Sequence, residues 1–198
     1  MNTAETVVVH FGAAALPGVL AGLPVLAVTA ASEVDERLDG ARRLVVVGSH
    51  AELAAVLGRL LRAERLDIEV AHAVGRRAAR RALSAAARPM PLIRDETGTV
   101  LIGAATWRGA DGPLHGEAVV DDAVLFDGTV PGVRVEPLHR APGVRAAVLG
   151  RWRRRWLEGR AAQLGTTGAL VVRDGVAAPR PVRRSTFYRH IVDWWAVR

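Results

Sequence analysis

A run of four branched apolar residues constrains the fold more than any other segment of the chain. Leu44–Val47 is followed by Gly48-Ser49-His50 and then, over residues 51–66, by apolar positions that recur with a helical period. A run of this kind is typical of a strand that is buried on both faces, as in a parallel sheet. The segment therefore predicts a strand, a tight turn and a helix within an α/β lobe.

The turn after this strand is the first candidate site. A helix that starts directly behind a strand offers free backbone N–H groups and the positive end of its dipole, which suit a phosphate or a carboxylate. Gly48, Ser49 and His50 are therefore the candidate ligand-binding residues. The alternative is structural: Ser49 is the helix N-cap, Glu52 is its capping-box partner and His50 is an exposed first-turn residue.

Two residue types are missing from the chain, and their absence excludes several chemistries. Its 198 residues include no cysteine, and all 27 basic residues are arginine. Without cysteine there are no disulfides, thiolate metal sites or cysteine nucleophiles. Without lysine there is no Walker-type phosphate loop, kinase strand lysine or Schiff base. The six histidines lack metal-ligand spacing and no Gly-x-Ser-x-Gly motif occurs, so no metal ligand or serine nucleophile is assigned.

Charge is distributed unevenly along the chain, whose formal net charge is +7. Residues 1–70 carry nine acidic residues against six arginines, a balance of −3. Residues 71–198 carry 21 arginines against eleven acidic residues, a balance of +10. The basic second part favours anionic partners such as nucleotide phosphates, lipid headgroups or nucleic acid.

The stretch between Glu5 and Glu33 carries no charge and must be compared with a membrane span. A spanning helix needs about 20 predominantly apolar residues. Here prolines and glycines divide the stretch into two shorter apolar runs, and the basic residues of an export signal are missing. We therefore expect two buried strands and a cytoplasmic protein, with peripheral membrane association as the alternative.

Strands and helices alternate in the first half of the chain, which is typical of a parallel sheet with covered faces. The predicted strands are Thr6–Phe11, Leu23–Thr29, Arg43–Val47 and Leu66–Val70, and a further helix is predicted over Gly75–Ala87.

From Pro91 onward, short apolar runs separated by turn-forming residues indicate antiparallel β-structure. We predict a hairpin at Asp174-Gly175 and one helix over Pro142–Leu157. The predicted fold class is therefore α/β, with an N-terminal parallel-sheet α/β lobe (residues 1–90) followed by an antiparallel β-sandwich-like lobe (residues 91–198). The predicted strands of this second lobe are Pro91–Arg94, Thr99–Trp107, Gly116–Val120, Ala123–Phe126, Val133–Glu136, Ala161–Leu164, Ala169–Arg173 and Val182–His190.

Four carboxylates of the second lobe form the next candidate cluster: Glu117, Asp121, Asp122 and Asp127. Carboxylate oxygens suit magnesium, and Asp127 is the candidate catalytic carboxylate. The alternative is turn chemistry, because Asp-Asp and Asp-Gly pairs are common in hairpins.

Arginine and tryptophan concentrate in three further segments. On a helix, the run Arg151–Trp156 would place its two tryptophans on one face and arginines on another, which suits an anionic membrane surface or phosphates. The alternative is an amphipathic helix with its tryptophans in the core and its arginines in solvent. Arg76, Arg77, Arg80 and Arg81 form a second basic helical face. The aromatic C-terminal segment predicts either a packed last element or a homodimer seam, and it lacks the alternation of a nucleic-acid platform.

The segment from Gly48 to Leu57 resembles the nucleotide turn of the diacylglycerol kinase and NAD kinase superfamily. In that family a strand ends in Gly-Gly-Asp-Gly-Thr and opens a helix, and an α/β lobe precedes a β-sandwich lobe. The strand at 99–107 and the hairpin at 172–176 resemble stretches of bacterial lipid kinases. The sequence departs from the motif at Val47, which replaces the first glycine, and at Ser49, His50 and Ala51, which replace Asp-Gly-Thr.

The resemblance implies a nucleotide or an anionic lipid as ligand, bound between the two lobes near Gly48–His50, with ATP and magnesium as the cofactor. It also implies an aspartate near the site, for which Asp127 is the candidate. Because the acidic motif residue is missing, we expect a degenerate, pseudoenzyme-like member that binds its ligand, with an active lipid-kinase-like phosphotransferase as the alternative. The alternative is a non-catalytic basic module for an anionic membrane or, less favoured, nucleic acid.

Overall fold

The computed structural model describes residues 5–150 and 155–198, which form two compact units. The first unit contains the chain up to Met90 together with Val192–Arg198, and the second contains Pro91–Ile191. Residues 192–198, which the sequence interpretation assigned to the second lobe, therefore lie with the first. This arrangement arises because the last strand of the sequence pairs within the first sheet.

The first unit is built on a six-stranded sheet with two α-helices and two short 3-10 helices (Gly18–Leu20 and Ala31–Arg37). The elements are β1 (Thr6–Phe11), β2 (Val25–Val28), β3 (Arg43–Val47), α1 (His50–Arg62), β4 (Glu69–His72), α2 (Gly75–Ser84), β5 (Ala87–Met90) and β17 (Trp194–Val197). The strands lie in the spatial order β2-β1-β3-β4-β17-β5, and all neighbours are parallel except β17 and β5.

Burial explains why this sheet forms where the sequence predicted it. All five residues of β3 are buried, as expected for a strand covered on both faces. The helix α1 buries Leu53, Val56, Leu57 and Leu60 against the sheet, which confirms the helical period predicted after Gly48. The fourth strand was predicted at 66–70 but lies at Glu69–His72. The second helix was predicted to end at Ala87 but ends at Ser84, and Ala87 is the first residue of β5.

The second unit is an antiparallel sheet of short strands around the 13-residue strand β14. Its core contains Trp107 and Phe187, both fully buried, with ring centroids 5.8 Å apart. The indole N–H of Trp107 donates a 3.0 Å hydrogen bond to Ser185 Oγ. The strands are β6 (Ile93–Asp95), β7 (Val100–Leu101), β8 (Ala105–Gly109), β9 (Leu114–Val120), β10 (Ala123–Val130), β11 (Val133–Pro137), β12 (Val144–Val148), β13 (Leu157–Gly159), β14 (Ala161–Arg173), β15 (Val176–Ala177) and β16 (Val182–Arg189).

One predicted helix of the second unit is wrong. The segment 142–157 contains strand β12, which pairs with β11, and ends at the start of β13, which pairs with β12. Trp156 is not helical, and residues 151–154 of the proposed tryptophan helix lie outside the described residues. The predicted hairpin is confirmed, because Asp174 and Gly175 connect β14 to β15 with positive φ angles of 48° and 88°.

Candidate functional site

The candidate site lies at the carboxyl ends of the parallel strands in the first unit. The chain passes from β1 to β2 on one side and then returns to β3 on the other side of β1. The strand order therefore reverses at β1 and β3, and ligands of open α/β sheets bind at such a point. Gly48 and Ser49 connect the carboxyl end of β3 to α1 at this position.

Ser49 caps α1, which confirms the structural alternative for this residue. It has extended backbone angles, and its Oγ accepts a 3.3 Å hydrogen bond from the backbone N–H of Glu52. In return, the N–H of Ser49 donates to Glu52 Oε2 at 2.6 Å. This reciprocal arrangement is a capping box, and it uses two of the N–H groups that a helix start leaves free.

The remaining first-turn donors are the N–H groups of His50 and Ala51, which have no hydrogen-bond acceptor in the described part of the chain. His50 is exposed, as the structural alternative predicted. The turn can therefore offer two amides to an anion, although the carboxylate of Glu52 places a negative charge beside them. A phosphate that binds here has to overcome the repulsion from the Glu52 carboxylate or move that side chain away.

Gly48 is fixed in this turn by its neighbours. A Cβ at this position would lie 2.6 Å from Glu52 Oε2 and 3.1 Å from the ring of Phe11. Glycine therefore allows the carboxylate of Glu52 to reach the N–H of Ser49. The same close packing excludes any larger residue at position 48.

His72 joins the turn from the carboxyl end of β4, a residue that the sequence analysis did not place there. Its Nε2–H donates a 2.7 Å hydrogen bond to the carbonyl oxygen of Gly48. The rings of His50 and His72 have centroids 5.3 Å apart and are tilted by 47°. The signal in the sequence is that His50 follows strand β3 and His72 ends strand β4, and adjacent parallel strands end at the same edge of a sheet.

Burial lowers the pKa of His72, the hydrogen bond to Gly48 opposes this, and the nearby His50 lowers the pKa further. A histidine with a depressed pKa in the folded state binds fewer protons there than in the unfolded chain, whose histidine pKa is about 6.5. The stability that neutral His72 contributes is therefore complete above the unfolded-state pKa and is lost as the pH falls below that pKa.

We expect the free energy of unfolding to fall as the pH is lowered from neutral through the unfolded histidine pKa, and to fall less in the variant His72→Gln. Urea unfolding at a series of pH values measures this slope. The matched control is His115→Gln, which removes an exposed histidine of the second unit. Equal slopes for the wild type and His72→Gln would contradict the prediction.

The four candidate carboxylates named from the sequence do not form one cluster in the second unit. Asp121 and Asp122 make the turn between β9 and β10, as the turn alternative predicted, and Asp121 accepts 2.9 Å hydrogen bonds from the N–H groups of Arg160 and Ala161. Asp127 lies within strand β10, exposed and opposite Glu117, so it is not part of a turn. No three histidine or carboxylate side chains of the described residues converge on a metal position.

The fold is similar to those of solved diacylglycerol kinase and NAD kinase structures, the two kinds of protein to which the sequence resemblance pointed. Among solved structures, the chain is similar to a diacylglycerol kinase from Bacillus anthracis str. Sterne, with a TM-score of 0.76 and 10% identity over 98% of this chain and 96% of that one. It is also similar to an NAD kinase from Archaeoglobus fulgidus in complex with ATP, with a TM-score of 0.64 and 10% identity over 98% and 93% of the two chains.

Sequence comparison adds nothing to this likeness: no protein-family model and no curated protein matches the chain. In the described ranges, no helix is both long enough and apolar enough to span a bilayer.

Proposed function

We propose that the first unit binds a phosphorylated ligand, a nucleotide foremost, at the turn Gly48–His50. The observation that carries the proposal is the pair of free N–H groups on His50 and Ala51 at the point where the strand order reverses. The imidazole rings of His50 and His72 lie 5.3 Å apart at the same turn, and the positive end of the α1 dipole favours a bound phosphate. The solved ATP complex of a fold neighbour supports a nucleotide as the ligand class.

The residues present fit a phosphate better than they fit magnesium. The phosphate has two free amide donors at the turn, whereas no described group of three carboxylates or histidines could hold the metal ion. We therefore propose a degenerate kinase-like protein that binds its ligand without phosphoryl transfer. The alternative is an active phosphotransferase with Asp127 as its catalytic carboxylate, in which Asp127→Asn would abolish ATP consumption.

Replacing Glu52 tests the site directly. We expect Glu52→Gln to bind ATP about fivefold more tightly than the wild type, because a unit charge about 4 Å from a phosphate costs about 1 kcal/mol in water. Glutamine still serves as the capping-box partner of Ser49, so the helix start is retained. Isothermal titration calorimetry with ATP, in the presence and absence of magnesium, measures the affinity.

The control is Glu36→Gln, which removes an exposed carboxylate of the same unit and should leave the affinity within about twofold of the wild type. If Glu52→Gln and Glu36→Gln change the affinity equally, or if the wild type shows none for ATP, the proposed site is wrong.

A further inference from the structure

Helix α2 exposes a dense cationic surface that the proposed nucleotide site does not use. Arg76, Arg77, Arg80 and Arg81 are all exposed, whereas Ala79 and Ala82 are buried against the sheet. At 3.6 residues per turn, the four arginines span an arc of about 140° on the side of α2 opposite the buried alanines. We call these four residues the arginine face.

The charges of the arginine face are not compensated. The helix contains no acidic residue, and none of the four guanidinium groups is paired with a carboxylate in the described part of the chain. Other arginines of the same unit are paired: Arg43 with Glu69, Arg59 with Asp35 and Arg65 with Asp67. Four adjacent unpaired cations repel one another, and an anionic partner would relieve that repulsion.

The helix is held firmly with this face outward. The guanidinium of Arg43 donates hydrogen bonds to the carbonyl oxygens of Ala82 and Ala85, at 2.8 and 3.1 Å, and therefore satisfies the last turn of α2. Arg43 is itself fixed by Glu69, whose Oε2 lies 2.7 Å from its Nε. Because the backbone of α2 is already fixed, binding of a partner has to order only the four arginine side chains.

An exposed tryptophan lies in β17, on the same sheet face as α2. Trp195 is directly opposite Glu69 in the pairing of β17 with β4, on the sheet face that α2 covers, and it is 42% exposed. Tryptophan is favoured at the boundary between water and lipid headgroups, where its ring is apolar and its N–H is polar. The arginine face and Trp195 together form a surface with both cationic and interfacial character.

We propose that the arginine face, with Trp195 at its border, docks the protein on an anionic lipid surface. Four or more basic residues on an amphipathic helix are sufficient for such binding, and each contributes about a fivefold gain in the binding constant. A bilayer is favoured over nucleic acid by geometry. Helix α2 lies flat on its sheet and exposes only one side, which can rest on a flat bilayer surface. To read DNA, a helix has to enter the major groove, which is about 12 Å wide.

Vesicle co-sedimentation tests the proposal, with vesicles of phosphatidylcholine alone and of phosphatidylcholine mixed with phosphatidylglycerol. We expect the wild type to bind only the mixed vesicles, and to bind them more weakly as ionic strength rises from about 0.01 to about 0.15 M. The variant with Arg76, Arg77, Arg80 and Arg81 all changed to glutamine should bind about 600-fold more weakly, which is the fivefold contribution of each arginine taken four times. Glutamine and arginine have similar helix propensities, and circular dichroism checks the fold.

The control variant changes four other exposed and unpaired arginines to glutamine and loses the same net charge: Arg62, Arg108, Arg180 and Arg183. We expect it to retain most of the binding, as should the variant with lysine at all four positions of the arginine face. Equal losses in the test and control variants would mean that net charge alone is responsible and would overturn the proposal. It would also be overturned by a wild type that ignores anionic vesicles, or by tighter binding of a DNA duplex that is lost in the same test variant.

Discussion

We expect Arg173→Leu to lower the free energy of unfolding by about 3–5 kcal/mol, because it leaves a buried carboxylate without its cation. Asp95 is fully buried in the second unit, and its Oδ2 lies 2.6 Å from Nε of Arg173. Neither atom makes a hydrogen bond, so the contact is an ion pair. The other carboxylate oxygen accepts hydrogen bonds from Thr97 and Thr99, at 2.6–2.9 Å.

Chemical denaturation followed by tryptophan fluorescence measures the loss. Arg173→Lys, which keeps the charge, should cost less than Arg173→Leu and remain measurable if the leucine variant does not fold. The double variant Asp95→Asn with Arg173→Leu removes both charges, and it should be more stable than Arg173→Leu alone. A cost below about 1 kcal/mol for Arg173→Leu would contradict the ion-pair interpretation.

We expect Asp174→Ala to destabilise the second unit by about 3 kcal/mol, for two physical reasons. The carboxylate accepts hydrogen bonds from three successive backbone N–H groups, those of Ile102, Gly103 and Ala104, at 2.6–3.1 Å. Alanine would leave these donors without their acceptor. Residue 174 also has a φ of 48°, a left-handed conformation that alanine adopts only with strain.

Asp174→Asn keeps the left-handed backbone conformation and loses only part of the hydrogen bonding. Asparagine tolerates the left-handed conformation and keeps one acceptor oxygen, so it should cost about 1 kcal/mol. Thermal unfolding of the three proteins gives the comparison. If both variants are as stable as the wild type, neither the backbone conformation nor the hydrogen bonds of Asp174 hold this turn.

The parts of the fold that could be predicted are those encoded by local patterns. Strands β1 and β3 were predicted with the bounds observed, because a continuous apolar run has few alternatives to a strand buried on both faces. The helix predicted over 142–157 was wrong because alanine and arginine favour helices locally. The pairing of Val144–Val148 with Val133–Pro137 overrides that preference, and such pairing is not visible in a local sequence window.

The candidate site was likewise predictable only in part. The cap formed by Ser49 and Glu52 follows a local spacing and was foreseen as the structural alternative. The approach of His72 to His50 depends on β4 lying beside β3, and these histidines are 22 positions apart in the chain. Pairing of distant residues at one sheet edge requires the strand order, which the sequence pattern did not supply.

The position of β17 has a consequence for synthesis of the protein. This strand lies between β4 and β5, and in the described residues β5 has no other strand partner. During translation the first sheet therefore stays incomplete until residues 194–197 emerge, although the second unit has all its strands by then. The unit encoded first is thus the last to be finished, and its open strand edge is exposed to aggregation in the nascent chain.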